Sequence, residues 1–318
     1  MSKTAFLFPG QGSQAPGMGR ELADQFPSAR GVFERADAAL GFPLSRLCFE
    51  GPAEELQLTE NTQPAVLTCS IAAWSVLRES LTPDYVAGHS LGEYSALVAA
   101  GALDFEEAVK LVRRRGQYMQ EATPPGVGAM AALLGLPDGT LERICAEAAQ
   151  GEVVSPANLN SPDQVVIAGH KGAVERAATL AKAAGAKRAV LLAVSAPFHS
   201  PLMKPARRRL AADLAVTRFA DLRIPLVNNF AAREIHRAEQ ARQGLVDQVP
   251  NPVRWEASIR LLAARGVSRF IEIGPGRVLT GLLRNIDRSL KGLNVEDRKS
   301  LEAALEQWPA GAVRARGT

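Results

Sequence analysis

The stretch that most constrains this chain is Val86-Ala87-Gly88-His89-Ser90-Leu91-Gly92-Glu93. Within it, Gly88-His89-Ser90-Leu91-Gly92 fits the G-x-S-x-G pattern, in which a serine sits on a sharp turn between a strand and a helix. Tyr85-Val86-Ala87 reads as a short buried strand, and the alanine-rich run Leu91 to Gly101 as the helix. The two glycines leave room for the turn and for close packing of the helix. A serine at a helix N-terminus also has backbone N–H groups beside it that suit a developing oxyanion. The pentapeptide alone equally fits an ordinary strand-to-helix turn, so the rest of the chain has to decide.

The 318 residues are 47% hydrophobic and 22% charged. This is an ordinary globular composition with enough length for a large core. Met1 to Lys3 leads straight into the strand-like Thr4 to Phe8, unlike a secretory signal, and no apolar run reaches membrane-spanning length. Cys48, Cys69 and Cys145 are too scattered for a disulfide framework or a metal site. A soluble, cytoplasmic monomer without a resident metal or cofactor is expected. The net charge of +4 suits an acidic partner, but no aromatic residues interleave with basic ones, which argues against nucleic acid.

The first strand runs into Pro9-Gly10-Gln11-Gly12-Ser13-Gln14. A P-loop would need Lys-Ser/Thr after Gly17, where the chain has Met18, and Pro9 and Pro16 obstruct a dinucleotide turn. The loop therefore reads as a permissive segment beside a site. Residues 20–82 read as helices and loops, with Gln63-Pro64-Ala65 opening an apolar helix to Leu77. A further helix from Asp104 to Glu121 carries the stripe Phe105, Ala108, Val109, Leu111, Val112 and Met119. Arg115 falls inside that stripe, whereas Arg113 and Arg114 point away. An inward guanidinium needs an anion, and either Glu93 or a bound substrate carboxylate would serve.

Residues 128–195 follow the order β-α-β-β-α-β, a ferredoxin-like unit. The predicted fold is therefore α/β: a large α/β-hydrolase-like part with a parallel sheet, 1–125 and 197–308, and an inserted ferredoxin-like subdomain, 126–196. The small, basic segment 309–318 reads as a disordered tail. After the insertion come a helix from Leu202 to about Ala215, a strand Ile224 to Asn228, a helix Arg254 to Ala264 and a strand Arg269 to Ile273. A Gly274-Pro275-Gly276 turn then leads into a last predicted helix.

A serine hydroxyl needs a base, and histidine suits that task at neutral pH. Of the four histidines, His89 adjoins the serine and should point elsewhere, His170 ends a strand of the insertion, and His236 sits in a charged, exposed stretch. His199 lies in a proline-flanked loop where the chain re-enters the large part, and is the candidate base. No convincing aspartate stands between Ser90 and His199, which leaves open a dyad oriented by a backbone carbonyl.

These motifs together resemble the malonyl-CoA:acyl carrier protein transacylase family. The resemblance spans Thr4 to about Asn285. It rests on Phe8 to Gln14, Gly88 to Tyr94, Arg115-Gly116, Met119-Gln120, Asn158 to Ser161, Pro197 to His199, Gln248 with Asn251-Pro252-Val253, and Ile273 to Gly276. It implies that Ser90 carries a malonyl ester and that His199 is its base and later its acid. It further implies an oxyanion hole from the N–H groups of Gln11 and Leu91, and a two-pronged grip by Arg115 on the malonyl carboxylate. Gln248 would orient His199 through its main-chain carbonyl, and Asn160 would line the cleft. Phe198 occupies a position where, in polyketide acyltransferases, Phe accompanies malonyl choice; Pro250 stands where other residues are common. Malonyl-CoA is then substrate rather than cofactor, and an acidic, phosphopantetheinylated acyl carrier protein the partner. Lys187, Arg188 and Arg207-Arg208-Arg209 are candidate docking positions.

Three other readings remain at this point. A serine thioesterase or other hydrolase shares the elbow but has no need of an inward arginine. A free-standing polyketide-synthase acyltransferase could look the same as a fatty-acid enzyme. A non-catalytic carrier-binding module would not need Ser90, His199, Gln11 and Arg115 intact.

Overall fold

The computed structural model describes residues 2–194 and 196–307; the expected tail at 309–318 lies outside the described residues. The strands, in chain order, are β1 Lys3–Phe8, β2 Tyr85–Gly88, β3 Gly128–Leu134, β4 Val154–Ser161, β5 Gln164–His170, β6 Arg188–Leu191, β7 Leu226–Val227, β8 Glu234–Ile235, β9 Val267–Ile273 and β10 Lys291–Val295. They form two sheets. The larger has the order β10-β9-β1-β2-β7-β8. It is parallel except for the short antiparallel edge β8.

A parallel sheet is covered on both faces, so its central strands must be apolar on both. In β1, Phe6 and Phe8 join the larger core with Val66, Leu97 and Leu111. Ala5 and Leu7 face the other side, against Trp255, Ile259, Leu262 and Leu279. The C-terminal ends of three neighbouring strands, β1, β2 and β7, release the loops that carry Gln11, Ser90 and Asn229. Sites in open α/β sheets form at that edge.

The smaller sheet has the order β4-β5-β3-β6, antiparallel throughout. With the helices Leu141–Ala149 and Lys171–Ala183 on one face, it is the expected ferredoxin-like arrangement. Its edge strand β4 docks on the large part: Leu159 N–H donates to Val253 O, and Val253 N–H to Ala157 O, both at 2.9 Å. This brings Asn160 to the elbow.

Two expectations change. The long apolar helix starts at Thr59, a turn before Gln63, with Pro64 inside it. Pro64 lacks an N–H, but the first turn closes without it, because the Asn61 and Thr62 N–H groups both donate to Leu58 O at 2.8 Å. The described chain also has elements absent from the sequence-based reading: β8, β10, and the helices Ala238–Gln248 and Arg298–Glu306. Ala238–Gln248 is largely polar and contains Gly244, so its pattern is weak; its place comes from tertiary contact.

Candidate active site

Ser90 is a non-glycine residue with φ of +52°, the strained left-handed geometry that projects a side chain from a tight turn. The turn leaves no room for a Cβ at Gly88, which would stand 1.9 Å from Gly92 O. The Gln11 loop lies directly on the elbow. The His89 N–H donates to Phe8 O at 3.0 Å, and a Cβ on Gly10 would come within 2.4 Å of His89 O.

The structure brings Ser90 and His199 together. Ser90 Oγ lies 2.7 Å from His199 Nε2, and His199 Nδ1 lies 3.0 Å from the Gln248 carbonyl oxygen. A carbonyl only accepts, so Nδ1 carries the proton and Nε2 offers its lone pair to the hydroxyl. The imidazole is buried. Burial first, and the Arg115 charge second, push its pKa down to about 3. It is therefore neutral, and competent as a base, across the physiological range.

Arg115 is buried where the helix pattern put it, on the helix Phe105–Glu121. Its Nη1 donates to Gln63 Oε1 at 2.8 Å, and its Nη2 to Gln248 Oε1 at 2.9 Å and Ser90 Oγ at 3.1 Å. The guanidinium also lies 5.6 Å from the centre of the Tyr94 ring. Glu93, one of the two anions considered for it, stands behind Gln248, whose Nε2 donates to Glu93 Oε2 at 2.8 Å. Burial raises the Glu93 pKa to about 7. Carboxamides thus hold the arginine in place directly, and the carboxylate does so at one remove.

The other sequence-predicted positions are close by. Ser90 O accepts from Glu93 N–H and from Gln248 Nε2, each at 3.1 Å. In a trans peptide this turns the Leu91 N–H the opposite way, away from Gln248. Gln11 is tied down through Nε2 to Thr59 Oγ1 at 3.2 Å. Asn160 is buried, with Oδ1 lying 2.8 Å from His89 Nε2, so its carboxamide is joined to the elbow histidine. Phe198 is buried on the loop that carries His199. Of the other histidines, His170 accepts from Val153 N–H through Nδ1, and His236 pairs with Glu234 on the surface.

Sequence reasoning missed Gln63, Asn229 and the side-chain role of Gln248. Gln63 was hidden in what read as a helix start. Asn228-Asn229 carries a weak signal, a polar pair closing an apolar strand. Asn229 Oδ1 accepts from Ser90 N–H at 2.6 Å.

A serine activated by a neutral imidazole, with a buried guanidinium against its oxygen, is a constellation for acyl transfer. The family model described as acyl transferase domain matches residues 5–303. The chain belongs to that family. It is similar to the malonyl CoA-acyl carrier protein transacylase of Salmonella typhimurium, 50% identical over 96% of this chain and 100% of the relative. The Bacillus subtilis transacylase is 51% identical over 96% and 97%. Among solved structures, an acyl carrier protein S-malonyltransferase from Vibrio cholerae superposes with a TM-score of 0.93 at 50% identity, covering 95% of this chain and 100% of that one. A malonyl-transacylase in complex with a type II PKS acyl-carrier protein gives 0.94 at 50% identity, covering 96% and 100%. Among the described residues no helix is long and apolar enough to cross a membrane.

Proposed function

We propose that this acyltransferase moves a malonyl group from malonyl-CoA to the phosphopantetheine thiol of an acidic acyl carrier protein, for fatty acid biosynthesis, by way of a malonyl ester on Ser90. The observation that carries the reading is the buried Arg115 donating to Ser90 Oγ at 3.1 Å. An acyl group esterified there with a free carboxylate one methylene further on would have a guanidinium within reach. Nη2, the atom that faces Ser90 Oγ, is the donor such a carboxylate would meet.

In the first half-reaction Ser90 Oγ attacks the thioester carbon and its proton passes to His199 Nε2. The N–H groups of Gln11 and Leu91 hold the tetrahedral oxyanion. Collapse breaks the carbon–sulfur bond, and the coenzyme A thiolate takes the proton back from the imidazolium. In the second half-reaction the carrier's thiol gives its proton to His199, attacks the malonyl ester and returns Ser90 to its hydroxyl. Gln248 orients the imidazole through its carbonyl. Asn160 and Phe198 shape the cleft. Both half-reactions use one site, so ping-pong kinetics follow.

An inserted lobe at 126–196 between the two parts of the large unit, 1–125 and 197–308, belongs to the same reading. Its support is that β3 to β6 all lie between Gly128 and Leu191. For the carrier, a basic hollow supports docking beside the site: Lys204, Arg207 and Arg208 line it with Pro201, Asp247, Pro250 and Asn251. Arg207 and Arg209 are already paired with Asp247 and Glu121, which leaves Lys204 and Arg208 the better docking candidates. A polyketide carrier is the second reading, favoured by the likeness to the transacylase solved with such a partner.

The test is incubation with malonyl-CoA followed by intact-mass and peptide analysis. The expected result is one malonyl adduct on Ser90, stable in water and discharged by a phosphopantetheine thiol. An adduct elsewhere, or rapid hydrolysis with no thiol present, would overturn the reading.

A further inference from the structure

Asn229 sits outside the groups that exchange protons or carry the acyl chain, yet its carboxamide spans the elbow. Its Oδ1 accepts from Ser90 N–H, and its Nδ2 donates to Gly88 O, both at 2.6 Å. These are the peptide groups on either side of His89, and Ser90 itself is held at a φ of +52°. Nothing in the elbow's own turn supplies this bridge. The helix that follows bonds instead to His89 O and Ser90 O, through Gly92 and Glu93 N–H.

Asn229 is itself fixed. It is fully buried, its N–H donates to Glu93 Oε2 at 3.1 Å, and its carbonyl accepts from Arg254 N–H at 3.0 Å. It follows β7, which pairs with β2 in the parallel sheet. The bridge therefore ties the elbow to the neighbouring strand, a rigid support of the kind a precisely aimed nucleophile requires. Asn228, one residue earlier, has a different task, with its Oδ1 accepting from Arg233 N–H in the turn to β8.

We propose that Asn229 is a positioning residue. It holds the backbone of Ser90 in the left-handed conformation, and through it aims Oγ at His199. The proposal rests on the reading that Ser90 is the acylated residue. A nucleophile released from this geometry would still bind substrate but would react slowly.

The experiment measures the rate constant of Ser90 malonylation by rapid quench for wild type, Asn229→Ala and Asn229→Asp. A second measurement follows labelling by a small fluorophosphonate, which needs no malonyl-CoA site. Asn229→Asp keeps an acceptor for Ser90 N–H but replaces the donor facing Gly88 O with an oxygen. Asn229→Ser, a smaller change with its own hydroxyl, serves if either variant folds poorly. Leu262→Ala, in the core on the far face of the sheet, controls for lost stability.

The expected result is a fall of about ten- to a hundredfold in both rate constants for the Asn229 variants, with half-saturating malonyl-CoA shifted by less than about threefold. The rate constant per folded molecule of Leu262→Ala should stay at the wild-type value. Asn229 variants that react within about twofold of wild type, or no more slowly than Leu262→Ala, would overturn the clamp. A wild-type enzyme unlabelled at Ser90 would instead overturn the functional reading.

Discussion

Ser90 and His199 share a backbone geometry as well as a hydrogen bond. The two residues, both non-glycine, have φ of +52° and +57°, and their side chains meet at 2.7 Å across 109 positions of sequence. Left-handed geometry in such residues is strained and persists where the surroundings over-determine it. Here they do: Asn229 grips one turn, and the Gln248 carbonyl receives the imidazole of the other. The contact is held by the fold itself.

Removing the imidazole should therefore cost the chemical step and spare binding. His199→Ala is expected to slow malonyl-enzyme formation by about 10²–10⁴-fold with little change in half-saturating malonyl-CoA. Rapid quench over a range of malonyl-CoA concentrations measures both. A proportionate loss of affinity would mean that His199 holds substrate rather than moving a proton.

Arg115 is expected to decide which acyl group is carried. Arg115→Ala should lower malonyl transfer by about a hundredfold or more, since a charge-assisted bidentate contact is lost, and lower acetyl transfer far less. Arg115→Lys should not restore malonyl transfer, because an ammonium cannot reproduce the fork that now spans Gln63, Gln248 and Ser90. The ratio of transfer rates from malonyl-CoA and acetyl-CoA is the readout, and equal losses for both would contradict a carboxylate grip.

Two buried groups give the protein opposing pH dependences. The His199 pKa lies at about 3, below the usual value of about 6.5. Between those values the unfolded chain binds a proton that the folded one does not, so this contribution to stability is lost as pH falls through the window. Glu93 is the reverse. Its pKa is raised to about 7, so its contribution is full below about 4.5 and is lost as pH rises toward 7. Glu93→Gln should accordingly gain in melting temperature relative to wild type between pH 5 and 8. A difference that stays flat with pH would show that Glu93 is ionised throughout. The acid limb of malonyl-enzyme formation should likewise lie well below the ordinary histidine range.

What could be read before folding depended on how local the signal was. The elbow was legible because its glycines, strand and helix all lie between Tyr85 and Ala99, and Arg115 because a helix repeats its face every 3.6 residues. The ferredoxin-like order was legible from its alternating periods. Gln63 and Asn229 were not, because each acts across a gap in the chain: Gln63 reaches Arg115 over 52 positions, and Asn229 reaches Ser90 over 139. A polar pair closing an apolar strand is a weak signal, and it does not say what the carboxamide reaches. The Ala238–Gln248 helix was missed for a related reason. Its polar sequence says little, yet its last residue supplies both His199 and Arg115 with a partner.

That last residue separates two roles within one side chain and its backbone. Gln248→Ala keeps the carbonyl that receives His199 Nδ1, because any residue has it, so the pH profile of acylation should hold its shape. It removes the carboxamide that bridges Arg115 to Glu93 and leaves a buried carboxylate one donor short. The cost in stability should be about 1–3 kcal/mol, seen as a lower midpoint in chemical denaturation. With the guanidinium less firmly held, half-saturating malonyl-CoA should rise, and acetyl transfer should fall less than malonyl transfer, through the lost bond to Ser90 O alone. An acid limb displaced further than in Arg115→Ala, which removes the guanidinium charge altogether, would mean that the side chain, and not the carbonyl, orients the imidazole.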